Sequence, residues 1–230
     1  MEDNEKADFS DILANSVHDM KNSLNMHLTL ITDIMETTED KTSQPFKTLA
    51  KLHYETKRIV NNLIQLLSIY SIEQKHYPIN ITYNSVPEFL EDIILHNQLL
   101  LEYKGIKVET KCPEDLFWFF DQDLIACVLN SIINNAYKYA KDRLQIAAEI
   151  EQNNCLKISI EDNGEGYPNN MLTNNIDEIK GVSYNSGSTG LGLYFSSIVA
   201  KMHKNKNIKG TISIENGKEL GGGCFTIILP

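Results

Sequence analysis

No stretch of this sequence stays apolar for the roughly 18 to 20 residues that a helix needs to cross a bilayer. The opening Met-Glu-Asp-Asn-Glu-Lys-Ala-Asp has neither the basic nor the apolar region of a signal peptide. Both absences lead to the expectation of a soluble, cytoplasmic chain that makes no use of a membrane. Basic residues are also sparse: 21 Lys and Arg stand against 31 Asp and Glu, for a net charge of −10. That balance argues against binding a nucleic-acid backbone. Four cysteines (Cys112, Cys127, Cys155 and Cys224) are scattered with no Cys-x-x-Cys pair, and the six histidines show no His-Glu-x-x-His spacing. A metal cluster and a disulfide framework are both disfavoured, and reduced, partly buried thiols are expected. Internal repeats and low-complexity segments are lacking as well.

What the chain does have is 230 residues with a hydrophobic fraction of 42%, enough for one large domain or two modest ones. Leu13, Val17, Met20, Leu24, Leu28, Ile31 and Met35 recur at steps of three and four, the period of one helical seam. The spacing predicts a helix over about 8–37. A polar stretch follows, and Pro45 suits the first turn of a second helix with a seam at Leu49, Leu52, Thr56, Ile59, Leu63, Leu66 and Tyr70. A 30-residue helix is about 45 Å long, more than a small core requires. Such a hairpin has apolar surface it cannot bury alone, and a homodimeric four-helix bundle removes it from water.

The helical pattern stops at Lys75-His76-Tyr77-Pro78, which sets the expected boundary between a domain over 1–76 and another over 77–230. The second reads as strand 79–83, a helix from Pro87 to Tyr103 ended by Gly105, and strands 106–110 and 116–120. A helix capped by Asp121 and running through Ala140 comes next, then a hairpin of strands 144–151 and 156–161. A helix to about His203 and strands near 210–215 and 224–229 complete an α+β arrangement, helices on one face of a mixed sheet.

Two places carry chemistry. On the first helix His18 follows Val17, off the apolar seam, beside Asp19 and one turn before Asn22. An imidazole so placed can act as a nucleophile towards phosphorus, oriented by the neighbouring carboxylate. In the second domain, Asp162-Asn163-Gly164-Glu165-Gly166 and Gly187-Ser188-Thr189-Gly190-Leu191-Gly192 bracket a polar stretch. Glycines let main-chain N–H groups approach phosphate oxygens, and the second loop runs into a helix whose N-terminus favours an anion. Asp162, at the end of a strand, can accept a hydrogen bond from an exocyclic amine such as that of adenine.

The order His-Asp-x-x-Asn, Asn-Ala-x-Lys-Tyr, Asp-x-Gly-x-Gly and Gly-x-Gly-Leu resembles that of the sensor histidine kinases, whose catalytic domain belongs to the GHKL ATPase superfamily. The resemblance runs from about residue 8 to Gly221-Gly222-Gly223-Cys224-Phe225-Thr226. It implies a dimerisation and phosphotransfer hairpin followed by a GHKL α/β sandwich that uses Mg²⁺ and ATP. By the same resemblance His18 is the phosphoacceptor, Asp19 the activating acid and Asn22 the amide that positions water for dephosphorylating a partner. Asn135 would bind Mg²⁺, Lys138 the phosphates, and Tyr139 would pack near the base. Asp162 would read the adenine amine within a loop shaped by Gly164 and Gly166. Thr189, Gly190, Leu191 and Gly192 would cover the phosphates.

The implied partners are a second copy of the chain and the receiver domain of a response regulator. No input domain is recognised ahead of the hairpin, so a separate sensor protein is a further candidate partner. A phosphotransfer or phosphatase protein, or a non-catalytic dimeric adaptor on the same scaffold, is the alternative reading. The chain departs from the family in two places. The segment 168–186 lacks the usual phenylalanine-rich lid, and Ser131 stands where many relatives have a second asparagine. The helix also offers two registers of oxygen donors, Asn130 with Asn134 or Ser131 with Asn135. The dipeptide Asn135-Ala136 and the lysine that follows favour the second, with Ser131 as a poorer metal ligand.

Overall fold

The computed structural model describes residues 2–74, 77–172 and 190–230, with side chains described from residue 15 onward. The chain divides into two compact units, Met1–Tyr77 and Pro78–Pro230.

The first unit is a helical hairpin of α1 (Glu2–Thr37) and α2 (Gln44–Glu73). The turn between them is built by Asp40, whose carboxylate accepts hydrogen bonds from the Thr42 N–H and hydroxyl. Ser43 then caps α2 by accepting from the Phe46 N–H at 3.4 Å, with Pro45 in the first turn where no donor is needed. Ile31 and Met35 of α1 are buried, as are Phe46, Ala50, His53 and Val60 of α2. The expected α2 seam therefore needs correcting in part: of its residues Thr56 is buried and Leu49, Leu63 and Tyr70 are half-buried. Leu52, Ile59 and Leu66 are 51%, 46% and 52% exposed, and on α1 Met20 is exposed too. Each helix carries two apolar stripes. The intrachain contact uses Phe46, Ala50, His53 and Val60, one notch round from the expected face, and leaves the other stripe uncovered.

The second unit begins with β1 (Thr82–Ser85), α3 (Val86–Lys104), β2 (Lys107–Lys111), β3 (Phe117–Phe120) and α4 (Gln122–Tyr139). It continues with β4 (Arg143–Ile150), β5 (Leu156–Asp162), the single turn α5 (Asn169–Leu172) and α6 (Leu191–Met202). Two-residue strands β6 (Lys204–Asn205) and β7 (Ile208–Lys209) precede β8 (Thr211–Asn216) and β9 (Gly223–Leu229). The central sheet has the order β2-β4-β5-β9-β8, parallel between β2 and β4 and antiparallel elsewhere, so it is mixed as expected. Leu156, Ile158 and Ile160 of β5 are buried while Lys157 and Ser159 between them are half-exposed. That alternation gives the sheet one apolar face, against which α3, α4 and α6 pack.

Helix boundaries follow from local chemistry. Asp121 caps α4 by accepting from the Leu124 N–H at 3.0 Å, and Gly105 closes α3 in the left-handed conformation with φ 73°. The first strand is displaced from its expected span. Residues 79–81 are extended but unladdered, because β3 ends at Phe120 and the Asn80 N–H is taken by the Asp121 carboxylate at 2.8 Å.

Asp121 also joins a buried histidine. Its N–H donates to His203 Nε2 at 3.0 Å, and His203 Nδ1 faces the Val199 carbonyl at 2.8 Å, which assigns the proton to Nδ1. His203 is 2% exposed, and burial holds its pKa below the ordinary histidine value. His53 in the hairpin is likewise pushed down to about 4, by burial first and then by the charge of Lys57. Both histidines are neutral when folded, whereas the unfolded chain takes up protons below a pKa of about 6.5. Their contribution to stability is therefore complete above that pH and is lost as pH falls towards the folded values. The slope is about 1.4 kcal/mol per pH unit for each group while only the unfolded state is protonated. Urea unfolding followed by Trp118, the chain's one tryptophan, is expected to shift to lower midpoint between pH 7.5 and 5.5. An unchanged midpoint would show that His203 charges without cost.

Candidate nucleotide and phosphoacceptor sites

His18 lies on α1 with its side chain 59% exposed, consistent with a position off the packed stripe. Its Nδ1 is 3.3 Å from the Asn22 amide nitrogen and 3.9 Å from an Asp19 carboxylate oxygen. The ring therefore has one nitrogen engaged by its neighbours, while Nε2 has no hydrogen-bond partner among the described residues. With the proton on Nδ1 facing Asp19, and the Asn22 amide turned to present its oxygen, Nε2 carries a free lone pair. His18, Asp19 and Asn22 thus form one cluster, as three neighbours on a single helical turn must.

In the second unit the site is assembled around α4. Ser131 Oγ lies against Gly192 in the first turn of α6, only 2.8 Å from where a side chain there would begin. At the other end of the same face, the Tyr139 carbonyl abuts Gly164, so that any side chain at Gly164 would strike it. The strip Ser131, Asn135, Lys138 and Tyr139 therefore runs between the two glycine loops. Asn135 and Lys138 are exposed along it, and the Lys138 ammonium lies 4.9 Å from the centre of the Tyr139 ring.

The competing register points elsewhere. Asn130 Oδ1 accepts from Asn97 of α3 at 2.7 Å, and Asn134 is buried with its Nδ2 unpartnered among the described residues. Asn130 is spent on joining two helices.

Asp162 ends β5 with both its main chain and its carboxylate held. Its Oδ1 accepts from the Gly164 N–H at 2.7 Å, and its carbonyl accepts from the Gly222 N–H at 3.0 Å. Gly166 adopts φ 81°, a conformation that L side chains rarely take. Gly190 caps α6 at φ 62° and offers no side-chain acceptor, so the first N–H groups of this helix have none from their own cap. Leu191 and Gly192 form its first turn. Such an end, rimmed by glycine, suits an anion. Thr189 lies outside the described residues.

Several residues of the site escaped the sequence reading. Asn163 Oδ1 accepts from three consecutive main-chain N–H groups, Lys141, Asp142 and Arg143, at 3.2, 3.1 and 3.0 Å. It fastens the end of α4 to the Asp162 loop, and its place inside Asp-x-Gly-x-Gly was the available signal. Lys104 has no signal in the sequence. Its ammonium donates to the terminal carbonyls of α4, Tyr137 and, at 3.0 Å, Ala140, and it lies over the Tyr137 ring. Burial lowers the Lys104 pKa, and the charge of Asp162 acts in the opposite sense. Gly222 is the third. A Cβ there would meet the Asp162 carbonyl, the Gly164 nitrogen at 2.5 Å and Asp162 Oδ1 at 2.6 Å.

This packing has a measurable consequence. Overpacking of this kind costs about 1 to 3 kcal/mol, and 1.4 kcal/mol is a factor of ten. Gly222→Ala is expected to weaken ATP binding by about tenfold or more in a calorimetric titration. Wild-type affinity would show that the Asp162 loop has slack.

Comparison with known proteins completes the description. Residues 120–230 match the family described as histidine kinase-, DNA gyrase B-, and HSP90-like ATPase. The chain is similar to the sensor histidine kinase WalK of Bacillus subtilis (strain 168), 27% identical over 209 residues, which cover 87% of this chain and 34% of that protein. It is also similar to the sensor protein kinase WalK of Staphylococcus aureus, 28% identical over 160 residues, or 66% of this chain and 38% of that protein. The chain thus spans only about a third of the length of these curated relatives. Among solved structures, the Acinetobacter baumannii histidine kinase AdeS aligns at TM-score 0.58 and 21% identity, over 90% of this chain and 96% of that one. Full-length ShkA in complex with AMPPNP aligns at TM-score 0.60 and 17% identity, over 96% of this chain and 45% of that one. At these identities the two structures establish a shared fold.

Proposed function

From the match of residues 120–230 to the histidine kinase-, DNA gyrase B-, and HSP90-like ATPase family and the similarity to sensor histidine kinases, we propose that the chain is a kinase core that moves the γ-phosphoryl group of ATP to His18 and then to an aspartate of a response-regulator receiver domain. The observation that carries this reading is the α4 strip of Ser131, Asn135 and Lys138, lying between a glycine loop anchored on Asp162 and the open N-terminus of α6.

In this reading Asp162 accepts a hydrogen bond from the adenine amine, with Tyr139 beside the base. The N–H groups at Gly190, Leu191 and Gly192 face the phosphates, as Thr189 would, and Lys138 balances their charge. Among the described residues no group of three His, Cys, Asp or Glu side chains converges on a metal. The donor set therefore fits Mg²⁺ held by the nucleotide phosphates and the exposed Asn135 amide oxygen, with the Ser131 hydroxyl as a weaker neighbour. Bound there, Mg²⁺ supplies charge neutralisation on the phosphoryl oxygens.

His18 Nε2 attacks the γ-phosphorus, and the bond from that phosphorus to the bridging oxygen of ADP breaks. Asp19 orients the ring, stabilises the imidazolium that forms as Nε2 bonds to phosphorus, and accepts its Nδ1 proton. Asn22, one turn away, positions water for hydrolysing the phosphorylated receiver aspartate. The exposed stripe of Leu52, Ile59 and Leu66 supports a homodimer, because a second hairpin would remove it from water.

With Mg²⁺ and labelled ATP, the chain is expected to acquire a label that is labile in acid and stable in alkali. His18→Ala is expected to lose that label while retaining ATP affinity, because the nucleotide site belongs to the other unit. A label that survives this substitution would remove the central claim. Asn22→Ala is expected to keep autophosphorylation but lower the phosphatase rate on the order of 100-fold. Equal loss of both activities would assign Asn22 to folding or docking instead.

A further inference from the structure

Asn216 belongs to no motif, yet it makes a paired contact with the base loop. It is the last residue of β8, and across the β8–β9 ladder it stands opposite Gly223. Its Oδ1 accepts from the Tyr167 N–H at 2.7 Å, and its Nδ2 donates to the Tyr167 carbonyl at 2.8 Å. One carboxamide thus satisfies both main-chain groups of a residue 49 positions away. The preceding residue has been shaped to allow it. Gly166 is at φ 81°, and a Cβ there would lie 2.7 Å from the Asn216 carboxamide carbon. Only a bare main chain reaches Asn216 this closely.

The grip has a consequence for Asp162. A Cβ on Gly223 would lie 3.0 and 3.2 Å from the edge of the Tyr167 ring and 3.4 Å from Asp162 Oδ2. The ring and the carboxylate therefore share the open side of Gly223, the residue that Asn216 faces across the ladder. Rotation of the Asp162 carboxylate towards that side is limited by the ring, while its other oxygen is held by the Gly164 N–H. Burial, with the charges of Asp162 and Cys224, raises the Tyr167 phenol above its ordinary pKa, so the ring beside the carboxylate is neutral.

We infer that Asn216 is a positioning residue for the nucleotide base. By clamping the Tyr167 main chain it sets the ring against Gly223 and holds the Asp162 carboxylate in the direction that reads the exocyclic amine. The inference rests on the proposed role of Asp162 and extends it to a residue outside the glycine loops. It also separates base recognition from phosphate binding, since both described side-chain hydrogen bonds of Asn216 go to Tyr167.

The test compares ATP with inosine triphosphate, which carries a 6-oxo group in place of the 6-amine, using binding titrations on the full chain. A charge-assisted hydrogen bond to the amine makes the wild type favour ATP by about 10- to 100-fold. Asn216→Ala is expected to lower ATP affinity about tenfold and to leave inosine triphosphate within about twofold, so that the selectivity collapses. In an Asp162→Asn background the same substitution is expected to add no further loss, as for two residues acting through one contact. Asn216→Asp keeps the acceptor for the Tyr167 N–H but loses the donor, and it is expected to fall between wild type and Asn216→Ala.

Equal weakening of both nucleotides by Asn216→Ala, with Trp118 fluorescence still native, would overturn the inference in favour of a general structural role. Unchanged selectivity in both Asn216 variants would overturn it as well. Asp162→Asn that leaves the ATP preference intact would instead sink the underlying reading of Asp162, whatever Asn216 does.

Discussion

The second unit depends on how closely three stretches of main chain approach one another at Asp162. The end of α4 meets Gly164 through the Tyr139 carbonyl, and Gly222 donates to the Asp162 carbonyl at 3.0 Å from the other side. Neither contact leaves room for a Cβ. The α4 strip, the base loop and the start of β9 are therefore locked at main-chain distance. Asn163 and Lys104 reinforce this junction by polar contacts. One collects three N–H groups from the segment after α4, and the other neutralises the carbonyl end of the helix. The residues proposed to meet a nucleotide project from this rigid junction, so their relative positions cost no ordering when a ligand arrives.

The N-terminus of α6 is capped by a glycine that provides no side-chain acceptor to its first N–H groups. The unit thus combines a welded side at Asp162, proposed to read the base, with a glycine-capped helix end at α6. Asn216 extends the welded side across the sheet to β8, which explains why an otherwise unremarked asparagine holds both main-chain groups of Tyr167.

The hairpin follows a different logic. A long two-helix unit has few contacts beyond its own seam, and its two apolar stripes cannot both be covered within one chain. In the proposed reaction the His18 cluster is reached by two successive partners, first ATP and then a receiver aspartate, and it sits outside the packed stripe. The requirement for access is met by leaving His18 exposed, with only its helical neighbours Asp19 and Asn22 to set the ring.

Local chemistry was legible in the chain itself. Asp121 as a cap, Gly105 as a left-handed stop, and the alternation in β5 all depend on residues within a few positions of one another, and so did the His18 cluster. The spacing of the two glycine loops marked them as candidates for the site. What the sequence left undecided were choices between equivalent faces. Both α2 stripes have the right period, and only contact with α1 selected Phe46, Ala50, His53 and Val60 over Leu52, Ile59 and Leu66. Both α4 registers were available until Asn97, 33 residues earlier in the chain, claimed Asn130 and left Ser131 facing Gly192. Lys104 and Asn216 could not be found at all, because nothing near them in sequence marks a partner that lies far along the chain. Periodicity determines which residues share a face of a helix or strand. Which face meets which neighbour is decided only when the chain closes on itself, since that choice is made by packing between distant segments.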